Sequence, residues 1–310
     1  MVTMGEVHTA LLRNSVPVSP SMATRLLGFD VSEHVHRSDR PISYVLSQDL
    51  LTGVDCQLAT PSGSKVRAIG TVISRAAIAG GHVVQGSAYV QMTRATVDRR
   101  QPWSHYLAQP GVVETIGRVT PTQIADGFLG QTTSRRVLDL SAIGRRTLDR
   151  VQDSKDFLNQ EPPFKTQRSR LRWVLQPAGD DRLSITLLSD RDFGCTVVLP
   201  DRETAVSEIA ALCEDLALHD WLLATVTSMV SRAPIGSGDR SAVIGSLQPA
   251  LDYLIHLWMP AARIDHVLAD VWEAVDRRPA MSRQWQALVT RIRDQLALAA
   301  ALSLTASTSL

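Results

Sequence analysis

The stretch PDRETAVSEIAALCEDLALHDW, Pro200 to Trp221, divides the chain into two compositional halves. From Asp201 onward apolar residues recur at helical spacing with almost no strand signal, whereas the residues before it are mixed and strand-rich. Asp201 is placed to cap the first free N–H groups of a helix that should run to Arg232, and Glu203 suits the positive end of its dipole. Downstream, Asp239 opens a second helix in which Pro249 removes a backbone donor, so a kink or two short helices are expected. Met259-Pro260 ends that segment. Ile264, Val267, Leu268, Val271, Trp272 and Val275 then form one apolar stripe, and Trp285, Leu288, Val289, Ile292 and Leu296 form another. The block reads as a bundle of about four helices.

Working back from Pro200, three strand signals, Leu171–Gln176, Leu183–Leu188 and Cys195–Leu199, are separated by Gly179-Asp-Asp181 and Asp190–Gly194, which predicts an antiparallel meander. Leu138–Val151 carries an apolar stripe with arginines on the other side, and Thr120-Pro121 is an N-cap followed by a first-turn proline for a helix to Leu129. Trp103–Gly117 also reads as helical. Val66, Ile69, Val72, Ile73 and Ala76 recur at helical spacing, with Gly80-Gly81 as a left-handed cap, and His82–Met92 reads as a strand. Gly5–Leu12 and Ile42–Ser47 are strand-like, Ser21–Leu27 is a short helix, and Asp30–Arg40 is a polar loop. The fold class is therefore α+β: a strand-rich part over residues 1–200, with a possible sub-boundary near 157–166, then a helical domain over 201–306 and a loose tail, 307–310.

Composition excludes more than it assigns. At 310 residues, 44% hydrophobic and 20% charged, the chain can bury a large core, and its net charge of +1 gives no global field toward nucleic acid or membranes. Residues 1–200 hold 23 Lys+Arg against 18 Asp+Glu, and residues 201–310 hold 9 against 13, so the helical part is acidic and the rest basic. Cys56, Cys195 and Cys213 have no C-x-x-C spacing and read as reduced, buried thiols. Met1–Leu12 lacks the pattern of a secretory signal, and Leu296–Leu304 is too short to span a bilayer, so a cytoplasmic protein without a membrane partner is expected.

No stretch carries a full catalytic, metal or nucleotide signature, and no cofactor is expected. Asp192-Phe193-Gly194 lacks the rest of a kinase, Gly63-Ser64-Lys65 lacks the upstream glycine of a P-loop, and His34-Val-His36 lacks a third metal ligand. Asp215 and His219, four apart on one helix, match a carboxylate–imidazole pair but equally a surface ion pair. Three sets of residues are candidates for binding. His82, Arg94, Arg99, Arg100 and His105, within the Gly80–Tyr106 region, suit an anionic ligand held by guanidinium forks. Arg168, Arg170 and Arg172 alternate before Trp173 and suit a phosphate backbone with a stacked base, although the small net charge makes nucleic acid an unlikely partner. Trp258 and Trp272 are large aromatic residues on helices and suit a contact with a protein partner or a second copy of the chain.

GEVHTALLRNS (Gly5–Ser15), LTGVDCQLAT (Leu51–Thr60), VVQGSAYV (Val83–Val90), PWSHYLAQPGVVE (Pro102–Glu114) and LIHLWMP (Leu254–Pro260) together resemble an actinobacterial family without an assigned activity. Its members are encoded beside a variant P-loop protein and a methyltransferase-like protein. The resemblance implies a component of a cytoplasmic multi-gene system, with the neighbouring P-loop protein as a candidate partner, and carries over no catalytic residue. The expectation is thus a non-catalytic interaction subunit. The alternatives are an enzyme or anionic-ligand-binding protein with a pocket around residues 82–106, and a nucleic-acid binder using residues 165–173.

Overall fold

The computed structural model describes residues 1–29, 35–38, 42–61, 63, 65–130, 136–179, 182–190, 193–199, 205–234, 240–261, 264, 266–277 and 280–307. His34, Ser64, Asp192, Asp201, Glu203, Asp239 and the tail from 308 lie outside them. In chain order the elements are β1 (Val2–Leu11), α1 (Pro20–Leu27), β2 (His36–Ser38), β3 (Tyr44–Leu46), β4 (Leu50–Gln57), β5 (Arg67–Ala79), β6 (Val83–Arg94), α2 (Trp103–Leu107), β7 (Val112–Ile116), α3 (Pro121–Leu129) and α4 (Leu140–Gln152). After them come β8 (Ser169–Gly179), β9 (Arg182–Ser189), β10 (Gly194–Leu199), α5 (Val206–Arg232), α6 (Arg240–Tyr253), a 3-10 turn at Ile255–Leu257, α7 (His266–Arg277) and α8 (Met281–Ser307).

The strands form one ten-stranded sheet in the order β10-β9-β8-β1-β6-β7-β5-β3-β2, with β4 also on β5. The chain is mixed α+β, and the expected meander is present as β8–β9–β10, antiparallel throughout. It is not a separate sheet, because β8 pairs with β1. β1 is buried at all ten positions, as a strand covered on both faces must be. Its even residues Val2, Met4 and Ala10 enter the cores shared with α1, α3 and α4, and its odd residues Val7 and Leu11 enter the cores shared with α5. The helices after residue 205 therefore pack on one another and on the sheet: one core joins Leu171, Trp173 and Ile185 of the strands to Leu212 and Leu216 of α5 and to Leu268 and Val271 of α7.

Several local expectations are corrected. Val66–Ala76 is not a helix; from Arg67 onward it lies in β5, a 13-residue strand. Both faces of β5 are buried over most of its length, so apolar residues fill adjacent positions and imitate helical spacing. Gly80-Gly81, with φ of 56° and 70°, is then a hairpin turn of the type that matches strand twist and not a helix cap. The helix read over Trp103–Gly117 stops at Leu107, and Val112–Ile116 is strand β7. This strand fills a fork: β5 and β6 pair only from Ile73↔Tyr89 toward the hairpin, and beyond it β7 runs antiparallel to Arg67–Gly70 and parallel to Gln91–Arg94. Gly70 makes the fork possible, since at φ 155° a Cβ there would lie 2.1 Å from the Val112 carbonyl oxygen. Pro249 does not divide its segment into two helices; α6 continues through it.

A buried ion pair ties α5 to the sheet. The Arg75 guanidinium donates Nε to Glu214 Oε1 at 2.7 Å and Nη2 to Oε2 at 2.9 Å, and the Ser87 hydroxyl donates to Oε1 at 2.5 Å. Gln85 donates its amide to the Glu214 backbone carbonyl at 2.8 Å and to Thr9 Oγ1 at 3.1 Å. The Glu214 side chain is 1% exposed and that of Arg75 12%. Removing one member leaves the other charge desolvated without its partner, so Arg75→Ala should cost about 3–5 kcal/mol. Urea unfolding checks this; a loss below about 1 kcal/mol, the level of a surface pair, would show that the pair does not secure α5.

Candidate interaction surface

β3 and β4 are one bent strand along the same edge of β5. Leu46 pairs with Ala77 and Leu50 with Ser74, so three residues, 47–49, face two, and the extra residue is a β-bulge. Ser47 closes it by donating its N–H to the Ala76 carbonyl and accepting the Ala76 N–H on its hydroxyl, both at 2.9 Å. β2 covers the outer edge of β3. At the other end the Gln57 N–H donates outward to the Arg136 carbonyl at 2.9 Å, and Leu138 N–H donates to the Gln57 carbonyl at 2.8 Å, a parallel bridge centred on Val137. Because backbone groups alternate direction along an antiparallel strand, Asp55, Gly53 and Leu51 also aim their N–H and C=O outward. Among the described residues no strand pairs with them.

The same odd-numbered residues share a face, on which α2 rests. The Trp103 ring lies over Gly53, where a Cβ would approach it to 3.2 Å. Trp103 is held edge-to-face by Tyr106, centroids 5.7 Å apart, and Tyr106 is buried with its hydroxyl accepting the Gln101 N–H at 2.9 Å. Leu51, Trp103 and Leu107 are 48%, 37% and 56% exposed, an apolar cluster beside the open edge. Further along, Arg67 grips Asp55 with two 2.8 Å bonds, and Arg100 adds a third at 3.2 Å while its guanidinium lies 5.5 Å from the Trp103 centroid. The hydrogen bond from Arg67, together with that from Arg100, holds the Asp55 carboxyl below the ordinary carboxylate range. A cavity of about 510 Å³ opens there, lined by Asp55, Cys56, Gln57, Lys65, Val66, Arg67 and Arg136. Burial, with the Asp55 charge beside it, pushes the Cys56 thiol up to about 11, so it is no thiolate nucleophile at neutral pH.

The structure separates the residues first grouped as an anion site. Arg100 and His105 belong to this surface, His105 bonding Glu114 at 2.8 Å. Arg99 is exposed in the adjoining loop, and Arg94 ends β6. His82 precedes the other end of that strand: the 12 residues of β6 separate it from Arg99, Arg100 and His105, about 40 Å of extended chain. It is buried edge-to-face on Tyr253. The arginine alternation puts Arg170 and Arg172 on one face as read, but their guanidiniums serve internal contacts. Arg170 bonds Asp190 at 2.8 Å and Arg172 bonds the Phe128 carbonyl at 3.1 Å, while Arg168 pairs with Asp149 at 2.7 Å. Trp173 points to the opposite face, 1% exposed, with its ring against Gly5, so no base can stack on it.

Trp258 and Trp272 are also engaged within the chain. Trp258 is half-buried and stacks on Trp285, centroids 4.4 Å and planes 9° apart; Trp272 is 4% exposed. His219 packs edge-to-face against both tryptophans, each at 4.8 Å. Its Nδ1 donates to the Asp215 carbonyl at 2.7 Å and its Nε2 accepts the Met259 N–H at 3.2 Å, while Asp215 Oδ2 accepts the Ala261 N–H at 3.0 Å. Asp215 and His219 hold the 259–261 loop and face no solvent. Among the described residues no three His, Cys, Asp or Glu side chains are grouped to hold a metal, and no helix is long and apolar enough to cross a membrane. Comparisons with protein-family models, curated proteins and solved structures found no match.

Burial, reinforced by the nearby His256, lowers the His82 pKa to about 4. The unfolded chain, with an ordinary histidine near 6.5, binds the proton that the folded chain refuses between these values. The contribution is full above about pH 6.5 and falls to its floor near pH 4, a loss of up to about 3 kcal/mol. His82→Phe, which keeps the contact with Tyr253, should flatten that slope in urea melts compared at pH 7 and 4.5. Parallel slopes for the two proteins would remove His82 as the cause.

Proposed function

We propose that the protein is a non-catalytic interaction subunit that receives an extended segment of a partner protein along β4. The observation that carries this reading is the run of outward backbone groups at Leu51, Gly53 and Asp55 beside the exposed Leu51, Trp103 and Leu107. Strand addition supplies affinity through main-chain bonds and specificity through side-chain pockets. The chain's own Arg136–Leu138 segment already uses this edge at Gln57 in that manner. The partner segment places an apolar side chain over Leu51 and Trp103 and an acidic one at the far end. Among the described residues that line the cavity there, Lys65, Arg67 and Arg136 meet one carboxylate, Asp55, an excess of two positive charges (three minus one) that favours an anionic side chain.

A cytoplasmic multi-protein setting, with the helices after residue 205 acting as a bundle that braces the sheet, completes the proposal. The resemblance to the actinobacterial family makes the neighbouring P-loop protein the first partner to test. Co-expression should yield a complex in which the Leu51, Gly53 and Asp55 amides exchange more slowly with deuterium than in the free chain. Leu51→Lys should weaken the complex at least about tenfold, the equivalent of 1.4 kcal/mol, with folding stability within about 0.5 kcal/mol of wild type. A complex that leaves those amides unprotected, or that tolerates Leu51→Lys, would overturn the edge as the docking site.

A further inference from the structure

We propose that a second site, between the Lys165–Gln167 segment and the C-terminal third of α5, binds a phosphate group carried by a small molecule. A cavity of about 320 Å³ lies there, lined by Lys165, Thr166, Gln167, Thr225, Ser228, Met229 and Arg232. Among the described residues its polar lining is one-sided: two cations, three hydroxyls and an amide, with no carboxylate. The α5 members share one helix face, since 225, 228, 229 and 232 follow the three- and four-residue spacing of neighbouring side chains.

The opposite wall is held in place and does not depend on a ligand for its position. Trp221, fully buried, donates its ring N–H to the Gln167 carbonyl at 2.9 Å, and the Thr166 and Thr225 hydroxyls share a hydrogen bond of 3.2 Å across the cavity floor. Two neighbouring cations are already paired: Arg13 bonds Asp153 and Arg168 bonds Asp149. Lys165 and Arg232 meet no carboxylate among the described residues, and the Ser228 hydroxyl has no protein hydrogen bond there. Arg232 offers a planar fork to two oxygens of a tetrahedral anion, Lys165 a point charge to a third, and Ser228 a hydroxyl donor.

The end of α5 opposes this with the partial negative charge of its last carbonyls, about half a unit. Two full positive charges outweigh it. A second cavity of about 400 Å³ shares Lys165, Thr166 and Gln167 with the first and is also lined by Arg13, Phe164 and Arg168, which leaves room for the organic part of a phosphate ester.

Isothermal titration with inorganic phosphate, pyrophosphate and ATP at low salt tests the site, in the wild type and in the doubly substituted Lys165→Gln, Arg232→Gln chain, with thermal melts to verify folding. Wild type should bind at least one of these probes saturably. The double substitution should lower affinity at least about tenfold, whereas Leu51→Lys on β4 should leave it unchanged, which separates this site from the docking edge. No saturable binding up to about 10 mM would overturn the proposal, as would equal binding by the double variant. So would a single-stranded oligonucleotide that binds more tightly than every small phosphate and displaces it, because the site would then belong to a polymer.

Discussion

A glutamate carboxylate in the interior sets the arrangement of this protein. Glu214 is buried in α5 against the middle of the sheet, where desolvation alone would be prohibitive, and the bidentate fork of Arg75 with the Ser87 hydroxyl offsets that cost. These bonds need β5, β6 and α5 in one relative position, so they fix where the long helix crosses the sheet. α6, α7 and α8 then assemble against α5. The excess of acid in the helical part and of base in the rest meets in this pair. On the far side of Arg75, over β4 and the first half of β5, the sheet carries the short α2, and the exposed side chains of the candidate docking surface lie there.

The same economy governs the residues that looked most like chemistry. A histidine beside an aspartate on one helix face is as useful for gripping a loop as for moving a proton, and burial decides between the two. With both side chains at 0% exposure and His219 using one nitrogen as donor and the other as acceptor, no face remains for a substrate. The tryptophans close around that imidazole for a related reason: the stacked Trp258 and Trp285 bury large apolar area where α8 and the 258–261 loop meet α5. Arginines 168, 170 and 172 follow the same logic, each bonded to an acid or a carbonyl within the chain.

Where the deciding physics was local, it was legible in the residues. Thr120-Pro121 reads as an N-cap and first-turn proline, to which the structure adds Gln123 as the other half of a capping box, the stripe of α4 buries as its spacing requires, and the turn residues between β8, β9 and β10 mark the meander. β5 was not legible, because a strand buried on both faces has no alternation to read and its alanines and isoleucines fit either period. α2 was read too long and β7 was missed, because the end of a five-residue helix and a strand wedged into a fork are both set by neighbours far along the chain. The docking surface was hidden for the same reason. Leu51, Gly53 and Asp55 alternate as any strand does, and only the order of strands in the sheet makes β4 an edge.

An open edge is hazardous unless it is restricted, and β4 is restricted at both ends, by the bulge at Ser47 and by the bridge at Gln57. What is left is short. Three residues aim about six backbone groups outward, and at a net of about 1 kcal/mol per hydrogen bond they supply roughly the lower part of the 4–15 kcal/mol that association costs in lost freedom. Backbone pairing alone therefore cannot hold a partner here, and it cannot recruit a passing strand either. Binding requires that the apolar cluster at Leu51, Trp103 and Leu107 and the cations around Asp55 be matched at the same time, so the brevity of the edge makes the side chains beside it the determinants of which segment is accepted.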